Sequence, residues 1–332
     1  MKKLFFLLAV IVTAIFSSCS NDDIEIQKPI TFKINPETVI NSYQEFSTGD
    51  LVVLPSTLKL RVRLLIYDED GVLAASDTQK FKDYSHIMTS TLNLPEGKYT
   101  VVAMTDIVSD SNEDFAWALS GEEKLNTVKI TKSEYIREQW EIMGLTTQNL
   151  YLNGNTDDVK IDVQPAGSLA IVYYKNWNYY NDVTHYALHC NRCPDHITLS
   201  NDGSVQYSII SDNYTKYRLS RVEWDSDYIG AYRYIFLFPV KGATFHFKCE
   251  CTDGKTYTLG DAQVIDIENG REYYFTIDVE NDEAEWLVFN SNHRMPYAPN
   301  LQAAQLKNIE ANDFGFENFT TLSEQPAFEA HK

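Results

Sequence analysis

Short runs of alternating apolar and polar residues, each followed by a turn sequence, recur along this 332-residue chain. Residues 58–64 read L-K-L-R-V-R-L, and residues 68–71 (D-E-D-G) then supply a turn. A period of two places alternate side chains on opposite faces of a strand, so one face is buried and the other meets solvent. The sequence therefore predicts an all-β fold. Residues 112–125 have some helical spacing and predict one short crossover helix.

Similar hairpins close the two halves of the chain. Residues 89–94 and 99–105 predict strands on either side of a P-E-G-K turn, and residues 268–279 repeat the pattern of turn glycine, cation, tyrosine and β-branched strand. In the second half, residues 197–209 predict a hairpin around an N-D-G turn. Short strands with regularly spaced turns are typical of β-sandwiches. We therefore expect two tandem β-sandwiches, at residues 30–150 and 151–285, and an irregular tail at 286–332.

Two segments of the second half carry most of its apolar residues. Residues 234–238 are wholly apolar, which predicts a strand buried on both faces. In residues 245–251 the pattern alternates, so that two sets of side chains occupy opposite faces: Phe245, Phe247, Cys249 and Cys251 on one, and His246, Lys248 and Glu250 on the other.

The N-terminus has the composition of an export signal. Two lysines precede an apolar run at residues 4–16, which is too short to span a bilayer, since that takes about 20 residues. The sequence F-S-S-C at residues 16–19 resembles a bacterial lipobox, although Phe16 replaces the usual leucine. This likeness predicts a signal peptide at residues 1–18 and an acylated Cys19 as the first mature residue. An ordinary signal peptide with a chance cysteine is the alternative.

Net charge limits the partners of the exported chain. The formal net charge of the whole chain is −19, and removal of residues 1–18 makes it more negative because two lysines are lost. Nucleic acids and anionic lipid surfaces attract clustered lysine and arginine, so neither is expected as a partner. Residues 19–29 begin with C-S-N-D-D and predict a solvated acidic tether. With two or more acyl chains on Cys19, a stable attachment to a membrane is expected.

Four segments together resemble the fimbrillin-like family of Bacteroidota type V fimbriae. They are the lipobox with its acidic tether, LRVRLLIYDEDGVL at 60–73, LNLPEGKYTVVAMTD at 92–106 and IENGREYYFTIDV at 267–279. The resemblance covers residues 1–280. It implies two transthyretin-like, Greek-key sandwiches, a lipid anchor in the outer membrane facing the cell exterior, and strand pairing with other fimbrial subunits. Family members that polymerise are trimmed after an early arginine. Here the first arginine is Arg61, inside a predicted core strand, which favours an untrimmed anchor or accessory subunit.

Four cysteines besides Cys19 invite a chemical explanation. Cys190 and Cys193 form a C-x-x-C pair, and Cys249 and Cys251 form a C-x-C pair. Disulfides, buried thiols and a four-thiolate zinc site are the three alternatives. Exported proteins meet oxidising conditions, which favours disulfides. Because Cys249 and Cys251 share a strand face and point the same way, bonds from the 190/193 segment to the 249/251 segment are the favoured pattern.

No catalytic constellation is recognisable in the sequence, and we expect no enzyme activity, cofactor or metal. Asp110, Asn112 and Asp114 fit the start of a calcium loop, but Phe115 and Gly121 stand where a glycine and a glutamate are needed. A G-x-S-x-G elbow and an H-E-x-x-H motif are both absent from the sequence.

Glycan binding is the alternative function. Residues 173–182 are dense in aromatic side chains, and rings next to amides and carboxylates suit sugars, because the rings stack on apolar sugar faces. The candidate contacts are Tyr174, Trp177, Tyr179 and Tyr180. Rings divided between a core face and a strand surface are the plainer explanation of the same segment.

Overall fold

The structure of the protein is a computed structural model that describes residues 28–43, 54–133, 138–156, 158–175, 183–208, 215–220 and 230–289. Within these ranges lie one short α-helix, α1 (Glu37–Asn41), and two 3-10 helices, Leu125–Thr127 and Glu138–Glu141. All other regular structure is strand, so the all-β prediction is confirmed. The strands are β1 (Lys28–Asn35), β2 (Leu58–Tyr67), β3 (Leu73–Phe81), β4 (Met88–Leu94), β5 (Gly97–Ser109), β6 (Trp117–Ser120), β7 (Lys129–Lys132), β8 (Gly144–Leu152), β9 (Asp158–Asp162), β10 (Ser168–Lys175), β11 (Val183–Asn191), β12 (His196–Leu199), β13 (Val205–Ser208), β14 (Thr215–Ser220), β15 (Gly230–Leu237), β16 (Val240–Cys251), β17 (Thr256–Ile267), β18 (Glu272–Asp278) and β19 (Glu283–Phe289).

Four sheets form two sandwiches with the same strand order. In the first sandwich, the sheets have the orders β4-β1-β9 and β3-β2-β5-β8. In the second, the orders are β15-β10-β18-β19 and β14-β11-β16-β17. In each sandwich one pair of strands is parallel: β1 with β9 in the first, and β10 with β18 in the second. The other sheet of each sandwich is antiparallel throughout. The second sandwich adds β19 beside β18.

A fifth sheet joins the two sandwiches. Its order is β13-β12-β7-β6, and it combines an insertion from each sandwich. The β6–β7 hairpin lies between β5 and β8 in the chain, and the β12–β13 hairpin lies between β11 and β14. The turn predicted at residues 201–203 joins β12 to β13, as expected. The hairpin pairs with the first half of the chain, however, because β12 lies antiparallel to β7, with Ile197 opposite Ile130. We call this fifth sheet the bridging sheet.

Two hydrophobic clusters fill the sandwiches, and we call them core 1 and core 2. All members of core 2 come after Leu169 in the chain, and four later residues still belong to core 1: Ile197, Leu199, Phe236 and Phe238. The boundary expected after residue 150 therefore comes too early, because β9 pairs with β1 and completes the first sandwich.

The apolar run at residues 234–238 is buried on both faces, as predicted, for a reason that periodicity does not reveal. Ile235 and Leu237 face core 2, whereas Phe236 and Phe238 face core 1. The strand is thus an edge strand of its own sheet that lies between the two cores.

Three further expectations need correction. Residues 112–125 form no helical crossover; they contain β6 and lead into a 3-10 helix at Leu125–Thr127. The tail does not begin at residue 286, because β19 continues to Phe289. The cationic face of β2 is not exposed, because the side chain of Arg61 is fully buried.

Among the described residues, neither α1 nor the 3-10 helices have the length and apolar composition needed to cross a bilayer.

Candidate functional site

Four of the residues singled out in the sequence lie outside the described residues. They are Cys19, Trp177, Tyr179 and Tyr180. Acylation of Cys19 and sugar contacts by the three aromatic side chains therefore stay predictions.

Tyr174 is a core residue. Its side chain is 1% exposed, its ring stacks on Tyr186 at 4.3 Å between centroids, and its hydroxyl donates to the carbonyl oxygen of Ala187 at 3.4 Å. Burial raises the pKa of the Tyr174 hydroxyl well above its usual value. The expectation that Tyr174 contacts a glycan is wrong, because a ring inside core 2 offers no face to a sugar.

Cys190 and Cys193 are bonded to each other, with their Cα atoms 5.8 Å apart. Both side chains belong to core 2. Cys190 lies at the end of β11, and Cys193 comes three residues before the start of β12. Between them, Arg192 takes a left-handed backbone conformation with φ of 66°, which is uncommon for a residue with a side chain.

The disulfide pattern favoured by the sequence is wrong. In the β11–β16 register, Cys190 lies opposite Phe245 and Cys249 lies opposite Tyr186, four positions away along β11. At about 3.3 Å per residue, that offset exceeds the reach of a disulfide. Cys249 and Cys251 do lie on the predicted buried face, in core 2. Within the described part of the chain, no group of three or more His, Cys, Asp or Glu side chains could hold a metal ion.

The strand edge at β9 is the best candidate for a functional surface. β9 lies at the edge of its sheet, and among the described residues no strand covers its outer side. Val159 and Ile161 point into core 1, while three polar side chains alternate with them on the exposed face: Asp158, Lys160 and Asp162.

Neighbouring side chains hold this edge in place. Lys33 Nζ lies 2.6 Å from the Asp158 carboxylate, and Asn35 Nδ2 donates to Asp162 Oδ1 at 3.0 Å. β18, which is the equivalent strand of the second sandwich, has β19 on its outer side over its whole length. Among the described strands, the first sandwich thus has none at the edge where the second has β19.

A buried charged cluster supports the first sandwich, and sequence reasoning missed it. Arg61 donates from Nε and Nη2 to the two Asp106 oxygens at 2.8 and 2.5 Å, and from Nη1 to Glu113 at 3.2 Å. Lys80 also contacts the Glu113 carboxylate. Burial raises the pKa of the Asp106 carboxyl, and the Arg61 guanidinium opposes this shift. We infer an ionised pair, because both carboxylate oxygens accept hydrogen bonds from a permanent cation.

No protein-family model and no curated protein matches the chain. Several solved structures are similar to it. A candidate polysaccharide-binding protein from Bacteroides thetaiotaomicron is 13% identical, with a TM-score of 0.49 over 80% of this chain and 98% of that one.

Two similar structures come from Porphyromonas gingivalis. The tip fimbrial protein Mfa3, truncated at its C-terminus, is 12% identical, with a TM-score of 0.43 over 79% of this chain and 100% of that one. The fimbrial anchor protein Mfa2 is 13% identical, with a TM-score of 0.44 over 79% of this chain and 97% of that one. At sequence identities this low, the comparisons show only that the structures are alike. A function for this chain has to be argued from its own residues.

Proposed function

We propose that this protein is a surface lipoprotein that serves as an anchor or accessory subunit of a fimbria. Cys19 carries the acyl chains, residues 19–29 space the body from the outer membrane, and the two sandwiches face the cell exterior. The protein acts by binding another subunit, with no catalytic step. The similar structures include a tip fimbrial protein and a fimbrial anchor protein, and these names agree with the proposed role.

The observation that carries the proposal is the edge at β9, which no strand in the described part of the chain covers. A sheet edge presents main-chain N–H and C=O groups that can accept a strand from a partner, and the side chains of that strand give specificity. The second sandwich has its own β19 in the corresponding place. A strand supplied by a neighbouring subunit would give the first sandwich the same complement of strands.

The charged side chains along β9 favour pairing with some partner strands over others. Natural sheet proteins protect exposed edges with short strands and charged side chains. β9 has five residues and alternates Asp158, Lys160 and Asp162 on its exposed face. Such an edge resists random pairing, while a partner strand with complementary charges would bind it.

Site-specific photocrosslinking tests the proposal in intact cells. A photoreactive amino acid at Lys160 should crosslink to another fimbrial subunit. The matched control is the same substitution at Asp253, which is exposed in the turn between β16 and β17 and should give no such product. Equal crosslinking at both positions, or none at Lys160, would contradict pairing at β9.

Deletion of the protein tests its wider role. Loss of a fimbrial anchor or accessory subunit should change the length, number or attachment of fimbriae in electron micrographs. Normal fimbriae in the deletion strain, together with retention of the purified protein in a polysaccharide affinity gel, would favour glycan capture through Trp177, Tyr179 and Tyr180.

A further inference from the structure

We propose that the bridging sheet and the Cys190–Cys193 disulfide act together as a lock that fixes the orientation of the two sandwiches. This inference does not depend on a fimbrial function. It rests on three sets of contacts: those of the β12–β13 hairpin with the first sandwich, those with the second, and the bond at the base of the hairpin.

The hairpin is held firmly by the first sandwich. Ile197 and Leu199 are buried in core 1, although the strand that carries them belongs to the chain segment of the second sandwich. At the turn, Asn149 Nδ2 donates to the carbonyl oxygen of Asp202 at 3.3 Å. A Cβ atom on Gly203 would lie 2.8 Å from the Thr100 side chain, so the turn lies directly against β5.

The turn itself is built to keep one shape. Gly203 has φ of 81°, a conformation that glycine adopts at little cost. Asp202 Oδ1 accepts hydrogen bonds from the Ser200 hydroxyl at 2.5 Å, the Ser204 hydroxyl at 2.7 Å and the Ser204 amide at 3.0 Å. A turn with its own hydrogen bonds transmits a displacement of one sandwich to the other instead of absorbing it.

Contacts with the second sandwich come from the other side of the hairpin. Asn269 Nδ2 donates to the Tyr207 hydroxyl at 3.1 Å. The Tyr207 ring lies 5.5 Å from the ring of Phe238, the residue that follows β15, and the Trp117 ring of β6 lies 5.2 Å from the same ring. The aromatic contacts around Phe238 thus involve both insertions and the second sandwich.

The disulfide stands where the chain crosses between the cores. Cys190 and Cys193 belong to core 2, and Ile197 belongs to core 1. A bond that closes so short a loop removes little entropy from the unfolded chain, because that contribution grows with loop length. Its main effect is therefore geometric: it fixes the left-handed Arg192 and the direction in which the chain leaves β11.

Breaking the bond should loosen the lock. A dithiol reductant would give its two electrons and two protons to the sulfur atoms, leaving thiols at Cys190 and Cys193, and would itself become a cyclic disulfide. The residues between β11 and β12 would then be free to leave the strained conformation at Arg192. The hairpin would stay with the first sandwich, where its apolar residues are buried. Phe236 and Phe238 would remain in core 1 and still link the two sandwiches, and the second sandwich would vary in orientation only as far as these contacts allow.

Single-molecule Förster transfer measures this orientation directly. Maleimide dyes are placed on Ser76→Cys in β3 and Asp253→Cys, both exposed, in the mature chain with Cys19→Ser. The oxidised protein should give one narrow distribution of transfer efficiency. The variant Cys190→Val with Cys193→Ala should give a broad distribution, because it keeps apolar volume in the core and removes the bond.

A control and a second measurement keep the test decisive. Cys251→Ser removes another buried sulfur of core 2, away from the hairpin, and should leave the distribution narrow. Should the double variant fail to fold, the protein with the unsubstituted cysteine pair is unfolded in urea with dithiothreitol, refolded in the presence of the reductant and measured in the same way, with the free thiols counted to show that the buried bond is lost. An unchanged narrow distribution after loss of the bond would overturn the lock, and so would equal broadening in Cys251→Ser.

Discussion

Substitution of Arg61 by methionine should strongly destabilise the first sandwich. Arg61 and Asp106 are both 0% exposed, and the guanidinium donates to both carboxylate oxygens. Removing the cation leaves a buried carboxylate without its partner, which costs about 3–5 kcal/mol. The free energy of unfolding, obtained from urea denaturation followed by circular dichroism, should fall by that amount at pH 7.

Two further variants separate the ion pair from simple loss of volume. Replacing both partners, with Arg61→Met and Asp106→Leu, leaves no buried charge and should bring stability to within about 2 kcal/mol of the wild type. Glu113→Gln is the matched control. That side chain is 62% exposed, so its contact with Arg61 contributes about 1 kcal/mol at most.

The pH dependence of Arg61→Met follows from the buried carboxyl. Burial raises the pKa of Asp106, and in the variant the Arg61 guanidinium no longer opposes the shift, which leaves only the smaller opposing effect of Arg63. The folded variant therefore takes up a proton at a higher pH than the unfolded chain, and its deficit should shrink as the pH falls from 7 towards 4. A deficit below about 1 kcal/mol, or a double variant as unstable as Arg61→Met, would refute a buried ion pair of this strength.

Three more predictions concern the termini, the cysteines and the bridging turn. Cys19→Ala should release the protein from the membrane fraction or leave its precursor uncleaved; unchanged retention with normal processing would rule out acylation there. Thiol titration of the denatured, unreduced mature protein should detect two thiols, those of Cys249 and Cys251, and a count of four would contradict the bond between Cys190 and Cys193. Hydrogen bonds from Ser200 and Ser204 lower the pKa of Asp202 to about 2, so its contribution to stability is present above pH 4 and is lost as the pH falls towards 2. The amide resonance of Ser204 should follow this titration in nuclear magnetic resonance spectra and should not do so in Asp202→Asn.

Local patterns predicted most of the strands. The alternation at residues 58–64, the hairpin around residues 95–98 and the buried face of residues 245–251 all appear in the structure close to the expected bounds. These features depend on neighbours in the chain, since a period of two and a turn glycine act over a few residues.

Pairing between distant segments was beyond such patterns. A buried face does not name the partner it packs against, so the β12–β13 hairpin and β9 were assigned to the wrong half. The same reason explains the cysteines: the shared face of Cys249 and Cys251 suggested bonds to the 190/193 segment, but the register of β11 and β16 sets Cys190 and Cys249 four positions apart. The buried Arg61 pair could not be foreseen either, because Asp106 lies on a different strand and is placed opposite Arg61 by the register of β2 and β5.

The parallel pairs β1–β9 and β10–β18 also determine how the protein responds to a pull along its chain. The chain enters the first sandwich on β1 and leaves it on β9, and it enters the second on β10 and passes through β18 before β19. Tension between the start of the first strand and the end of its parallel neighbour slides the two strands past each other. All hydrogen bonds between them then carry the load together. β19 differs, because it is antiparallel to β18 and its last residue, Phe289, lies opposite Glu272 at the entry end. Tension on Phe289 opens that pair one hydrogen bond after another, so β19 should detach at a lower force than either parallel pair.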